Sequence, residues 1–145
     1  MTFAELGLNP AILSAVTACG YTVPTPIQEQ SIPLVMAGHD LIATAQTGTG
    51  KTACFVLPAL ERLTVKSALP GKGPRILVLT PTRELAAQVM EAARGYGRGI
   101  RPRCGTLLGG MPYREQLRLL SAPVDIIVAT PGRLVDHIER GSIRL

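Results

Sequence analysis

Ala45-Gln46-Thr47-Gly48-Thr49-Gly50-Lys51-Thr52 decides how the rest of this chain is read. It follows a short apolar run, Asp40-Leu41-Ile42-Ala43-Thr44, and precedes Ala53-Cys54-Phe55-Val56-Leu57, a run of helical character. The implied order is strand, glycine turn, helix. Gly48 and Gly50 accept backbone conformations closed to other residues, which lets successive N–H groups converge on one anion at the start of the following helix. Lys51 is placed to reach outer phosphates, and the Thr52 hydroxyl to hold Mg²⁺. The pattern G-x-x-x-x-G-K-[ST] is met except at its first position, where Ala45, still small enough for a tight turn, replaces glycine.

The chain has 145 residues, the length of about one domain, and a domain of that size buries about 70% of its unfolded surface. Hydrophobic residues make up 46% of it, yet no apolar run approaches the roughly 20 residues of a membrane span. The start lacks a basic region followed by an apolar stretch. The expectation is a soluble, cytoplasmic protein that does not enter a membrane. Cys19, Cys54 and Cys104 are scattered without a C-x-x-C spacing, so they read as small buried thiols rather than a zinc site or a disulfide framework.

The net charge is +5, and it is unevenly placed. Up to Thr82 there are five basic and four acidic residues; from Arg83 onward there are ten and six, and all ten are arginine. Arginine forks match phosphate oxygens, so a polyanionic partner is one reading and a solvated arginine-rich surface the other. With three Tyr, two Phe and no Trp, base stacking is not a broad mode of binding.

Asn9-Pro10 reads as an N-cap and a first-turn proline, opening a helix with Ile12, Leu13 and Val16 on one face and Gly20 at its end. Thr25-Pro26 repeats the signal for a second helix that stops at Gly38, with Pro33 expected to kink or divide it. The phosphate-loop strand and helix follow, then a loop over residues 66–74. Arg75 to Thr80 is an apolar run of strand length, followed by Pro81-Thr82-Arg83-Glu84-Leu85 and a helix through Ala86, Val89 and Ala93. Thr106 to Gly110 reads as a weaker strand, and Tyr113 to Leu120 as a helix with Leu117 and Leu120 on one side. The last unit is strand 125–129, turn Thr130-Pro131-Gly132-Arg133 and helix Leu134 to Arg140. Strands alternating with helices predict an α/β fold with a mostly parallel sheet covered by helices on both faces, and ligands in such folds sit at the carboxyl ends of the strands. The segments beginning at Ala45, Pro81, Gly109 and Thr130 belong there.

Taken in order, these segments resemble the N-terminal RecA-like domain of the DEAD-box RNA helicases, and the resemblance covers essentially the whole chain. Gly20-Tyr21-Thr22-Val23-Pro24-Thr25-Pro26-Ile27-Gln28, with Phe3 upstream, is similar to that family's adenine-sensing Q motif. Ala45 to Thr52 is similar to its phosphate loop, alanine included. Pro81-Thr82-Arg83-Glu84-Leu85, Gly109-Gly110 and Thr130-Pro131-Gly132-Arg133 are similar to its RNA-contacting loops. The resemblance implies a RecA-like P-loop NTPase fold, with a partial domain over 1–145, a Q-motif region at 1–38 and a P-loop core at 39–145, the second RecA-like domain lying outside the sequence.

The roles implied are chemically reasonable. A glutamine amide offers a donor and an acceptor, and adenine presents N7 and N6–H₂, so Gln28 can pair with adenine in both directions where guanine would leave one bond unmade. Tyr21 either packs on the base or is wedged under the second helix. Phe3 reads as a strut for the Q-motif segment. Ala45, Gln46, Thr47, Gly48, Thr49, Gly50, Lys51 and Thr52 hold the phosphates of ATP, with Lys51 and Thr52 the catalytic candidates and Mg²⁺ carried with the nucleotide. For RNA, the loops at Pro81, Thr82 and Arg83, at Gly109 and Gly110, and at Thr130, Pro131, Gly132 and Arg133 contact the backbone without reading bases. An ion pair with a neighbouring acid is the other reading of Arg83. His39 and His137 match no motif position and read as surface or hydrogen-bonded histidines.

The family's acidic motif, which holds Mg²⁺ and orients the attacking water, is expected shortly after Leu145, as are the Ser-Ala-Thr motif and the second domain with its arginine fingers. Phosphoryl transfer depends on those groups. The parent is therefore expected to be an ATP-dependent RNA helicase and this chain alone to be inactive. A non-catalytic nucleotide- and RNA-binding module is the alternative. Ladder groups left unpaired inside the sheet predict self-association.

Overall fold

The computed structural model describes residues 1–46, 48, 50–65 and 73–145, and these form two units. The first comprises residues 1–66 and 92–101, the second residues 67–91 and 102–145.

In the first unit a 3₁₀ turn, Phe3–Leu6, precedes helices α1 (Pro10–Ala18), α2 (Pro26–Met36) and α3 (Lys51–Leu63). The two cap-and-proline signals act as read. Asn9 Oδ1 accepts from Ala11 N at 2.9 Å with Pro10 in the first turn of α1, and Thr25 forms a reciprocal capping box with Gln28 at the start of α2. Asn9 N also donates to Glu61 Oε2 at 2.7 Å, fastening the start of α1 to the last turn of α3. α2 packs on α3, and the core holds Ile12, Val16, Ile32, Leu57 and Leu60, with Phe3 buried under the chain's first turn. Pro33 does not divide α2, which runs continuously through it. Pro33 itself is exposed, and the helix gives up one backbone hydrogen bond there because proline carries no N–H.

The second unit contains a three-stranded parallel sheet of order β1-β3-β2, built from β1 (Ile76–Leu79), β2 (Cys104–Leu107) and β3 (Ile126–Ala129). β3 is central and all four of its residues are buried, as a parallel strand flanked on both sides requires. Leu107, Val124, Ile127, Ala129, Leu134 and Ile143 form the core, with Leu77, Leu119 and Leu120 against it. Helices α4 (Arg83–Tyr96), α5 (Tyr113–Leu120) and α6 (Pro131–Glu139) follow the three strands in turn, and the last turn of α4 belongs to the first unit. Arg103 closes the far end of this unit: its backbone N–H donates to Asp125 Oδ2 (2.9 Å) and its guanidinium to the carbonyls of Leu119, Ala122 and Pro123 at 2.7, 2.8 and 2.9 Å. A fixed cation there satisfies the end of α5. Among the described residues no helix is long and apolar enough to cross a membrane.

Four expectations need correction. Residues 40–44 are not a strand: no strand among the described residues pairs with them, and Leu41 and Ile42 stand 40% and 97% exposed. An apolar run becomes a parallel strand only where neighbours complete its ladder. The weak strand lies at 104–107 rather than 106–110, because Leu108 and the glycines turn away to form a loop. On α5 the inward residues are Gln116, Leu119 and Leu120, while Leu117 is 45% exposed. Cys54 is buried, but Cys19 is exposed and Cys104 half-buried.

Candidate functional site

The phosphate-loop side of the site lies wholly within the first unit. Gly50 is the N-cap of α3 at φ +83°, a conformation that glycine reaches without strain, and among the described residues no side chain caps that helix end. Gly48 is likewise left-handed, at φ +86°. Lys51 Nζ donates to the Ala45 carbonyl at 2.7 Å and so spans the loop from its last residue to its first. Lys51 is also the first residue of a 13-residue helix, at whose N-terminus the backbone N–H groups and the helix dipole both favour an anion. The Thr52 side chain is half-exposed beside it. Thr47 and Thr49, also expected in the cradle, lie outside the described residues. Among the described residues no group of three or more acidic, His or Cys side chains could hold a metal on its own.

Gln28 is 4% exposed and fixed at both ends of its amide. Oε1 accepts from Thr25 N at 3.0 Å, and Nε2 donates to the Gly50 carbonyl at 3.1 Å. Among the described residues one lone pair and one N–H of the amide remain without a partner, which is the donor and acceptor set that adenine matches. A Cβ at position 50 would overlap Gln28 Nε2, so glycine is required there twice over, by its φ and by this neighbour. Next to the amide, Thr25, Pro26, Ile27, Gln30, Thr44, Ala45 and Gly48 line an apolar hollow of about 470 Å³, a volume in the range of small-molecule sites. Tyr21 is 50% exposed and not wedged under α2. Its ring lies 6.3 Å from that of Tyr96, whose hydroxyl is pushed up to about 12 by burial first and by Tyr21 and Cys19 after it.

The second unit assembles the three loops expected to meet RNA. β1, β3 and β2 are parallel and in register at Leu79, Ala129 and Leu107, so the segments that follow them emerge from one end of the sheet. After β1, Thr80 is buried and its hydroxyl donates to the Thr82 carbonyl at 3.2 Å, while Thr82 Oγ1 accepts from Leu85 N at 3.2 Å and caps α4. Pro81 and Arg83 are exposed, and Arg83 makes no ion pair among the described residues. After β2, Gly110 turns at φ +77°, and a Cβ on it would lie 3.5 Å from Arg83 Nη1. After β3, Thr130 and Pro131 open α6. Thr130 Oγ1 does not cap its own helix; it accepts from Gly109 N at 3.2 Å and joins the second loop to the third.

Gly109 and Gly132 are different from the glycines above. Neither has a positive φ, and a Cβ on either would meet nothing within 4 Å. The fold does not need glycine at these two exposed positions, and in the first turn of α6 it costs about 1 kcal/mol relative to alanine. A bare backbone is what a closely approaching phosphate chain requires.

Beneath these loops lies a buried polar cluster that sequence reasoning missed. Gln116 is 4% exposed; its Nε2 donates to the Leu108 carbonyl at 3.0 Å, and its Oε1 accepts from Arg133 Nη1 at 3.1 Å and pairs with His137 Nε2 at 2.7 Å. Arg133 Nη1 also donates to the Met111 carbonyl at 2.7 Å. The guanidinium carbons of Arg133 and Arg140 each lie 4.0 Å from the Tyr113 ring centroid, and Tyr113 donates to Asp136 Oδ2 at 2.7 Å, the carboxylate acceptor raising the phenol's pKa. His39 is exposed as expected, but His137 is fully buried, and its Nδ1 has no partner among the described residues. Burial, then Arg133 and Arg140, hold its pKa below the ordinary 6.5 against the opposing pull of Asp136. The signal available beforehand was a glutamine in line with Tyr113 and Leu120 on the inner face of a short helix.

The sequence profile of the family described as "DEAD/DEAH box helicase" matches residues 25–145. The "ATP-dependent RNA helicase DeaD" of Escherichia coli (strain K12) is 48% identical, the match covering 99% of this chain and 22% of that protein. The "DEAD-box ATP-dependent RNA helicase 14" of Arabidopsis thaliana is 47% identical over 100% of this chain and 23% of its own length. Among solved structures, a "hypothetical ATP-dependent RNA helicase from Sulfolobus tokodaii" superposes with a TM-score of 0.83 at 38% identity, covering 94% of this chain and 38% of that one. The chain thus spans less than a quarter of the length of these curated relatives.

Proposed function

The chain belongs to the DEAD/DEAH box helicase family, and from that premise we propose that it is the adenine-nucleotide- and RNA-binding part of an ATP-dependent RNA helicase. The observation that carries the reading is the bond from Gln28 Nε2 to the Gly50 carbonyl, because it ties a base-sensing amide directly to the N-cap of the phosphate-binding helix. Adenine, with N7 as acceptor and N6–H₂ as donor, fits both free positions of that amide, which supports an adenine nucleotide as the ligand. The phosphates of ATP would lie against the N-terminus of α3 and Lys51. Mg²⁺ would arrive with the nucleotide, the Thr52 hydroxyl being one of its ligands and the phosphates supplying others. When bound, ATP supplies the energy of phosphoryl transfer; the residues here hold and orient it.

RNA would cross the ends of β1, β3 and β2. Gly109 and Gly132 expose backbone, Arg83 supplies charge, and the N-termini of α4 and α6 favour phosphate. Binding of this kind is salt-sensitive and indifferent to base sequence. Hydrolysis and duplex separation are proposed for the parent protein, and the 145-residue chain is proposed to bind without turning over. Among the described residues no further strand pairs with the outer edges of β1 and β2, which supports the further reading that the chain self-associates.

A titration with fluorescent ADP and its GDP counterpart in Mg²⁺ tests the nucleotide site. The expected result is selective ADP binding, lost in Lys51→Ala and made indifferent to the base in Gln28→Ala. A folded chain that binds neither nucleotide would overturn the assignment.

A further inference from the structure

Two of the loops described above are held together from beneath by one side chain. Gln116 reaches the second loop through the Leu108 carbonyl and the third through Arg133, with His137 on its remaining acceptor position. Arg133 in turn spends both hydrogens of Nη1 inward, on Met111 and on Gln116, and lies flat over Tyr113. With Gly109 N bonded to Thr130 Oγ1, the segments 108–111 and 130–133 are fastened at several points to each other or to Gln116, while their glycines stay bare. A buried glutamine is costly unless its polar atoms are satisfied, and here they are satisfied by Leu108 of one segment, Arg133 of the other and His137 of α6. The cluster therefore has one geometry, and moving either loop breaks a bond to the other.

We propose that Gln116 is a positioning residue that sets the spacing of the two loops, and that Arg133 acts through it as a brace for them rather than as a phosphate contact. The inference rests on the reading that these loops meet RNA. Its consequence is that RNA affinity depends on a residue that never touches RNA.

The test is fluorescence anisotropy of a labelled oligouridylate against the 145-residue chain at several salt concentrations, with amide hydrogen exchange of the RNA-free protein measured alongside. Gln116→Leu is expected to weaken RNA binding about tenfold without changing the salt slope, since no phosphate contact is lost. Amides of Gly109–Met111 and of Gly132–Arg133 should exchange faster together. Arg133→Lys, which keeps the charge and loses the fork, should weaken binding to a similar degree. The proposal is overturned if Gln116→Leu binds RNA within twofold of the unmodified chain, or if Arg133→Lys retains full affinity. Should the unmodified chain bind no RNA, the functional reading fails, and exchange alone decides the positioning claim: faster exchange in both loops sustains it and unchanged rates sink it. If Gln116→Leu does not fold, Gln116→Glu replaces it. That variant keeps both acceptor bonds and loses the one to Leu108, so faster exchange confined to Gly109–Met111 supports the proposal and unchanged exchange opposes it.

Discussion

Gln28 and Gly50 are complementary in a literal sense: the amide of one fills the space that a side chain on the other would occupy, and donates to its carbonyl at 3.1 Å. Helix α2 and the phosphate loop are thus locked by a residue that has no side chain. Gly50→Ala should therefore displace Gln28 and strain a φ of +83° at a cost of about 1–3 kcal/mol. Binding of fluorescent ADP is expected to fall by more than about tenfold, equivalent to about 1.4 kcal/mol. Undiminished affinity would show that the two residues are not coupled.

Gln28→Ala tests the same contact from the other side. It removes the reciprocal bond of the capping box to Thr25 as well as the tether to Gly50. Urea unfolding should register a loss of about 1–2 kcal/mol. Thr25→Ala weakens the cap and leaves the Gly50 tether in place, so it should cost stability while sparing the preference for ADP over GDP. Equal loss of that preference in both variants would assign it to the helix start rather than to the amide.

Much of the fold, and the elements that carry the candidate site, was legible because its signals are local. Asn9-Pro10 and Thr25-Pro26 each place a side-chain acceptor and a preset φ within four residues of a helix start, and both helices begin where these signals put them. α5 spans Tyr113–Leu120 as its pattern implied. What could not be read depends on partners distant in sequence. The run at 40–44 has the composition of a strand, but a strand exists only with neighbours, and none among the described residues pairs with it. The same holds for Gln116: its partners Arg133 and His137 are 17 and 21 residues away, so its alignment with Tyr113 and Leu120 was the one local signal that it, rather than Leu117, faces inward.

Gly132→Ala separates function from folding. Its backbone is not left-handed and open space surrounds the missing Cβ, so alanine in the first turn of α6 should raise stability by about 0.4–1 kcal/mol. If RNA backbone approaches there, the added methyl should nevertheless weaken single-stranded RNA binding several-fold. A variant that gains stability and binds RNA unchanged would remove Gly132 from the interface.

His137 makes the second unit sensitive to acid. Its pKa is held below 6.5 by burial and by Arg133 and Arg140, with Asp136 opposing, while Gln116 and the Tyr113 ring, 5.3 Å away, are the other groups facing it. The neutral ring donates from Nε2 to Gln116 and leaves Nδ1 as a bare acceptor; a second proton would bury an N–H with nothing to receive it among the described residues. Because the folded pKa is the lower one, the unfolded chain takes up the proton first as pH falls. The contribution to stability is therefore full above about pH 6.5 and is lost as pH falls from there through the folded pKa. Thermal unfolding at pH 7.5 and pH 5 should show a drop that shrinks in His137→Leu, which cannot titrate. An equal drop in both proteins would place the acid sensitivity elsewhere.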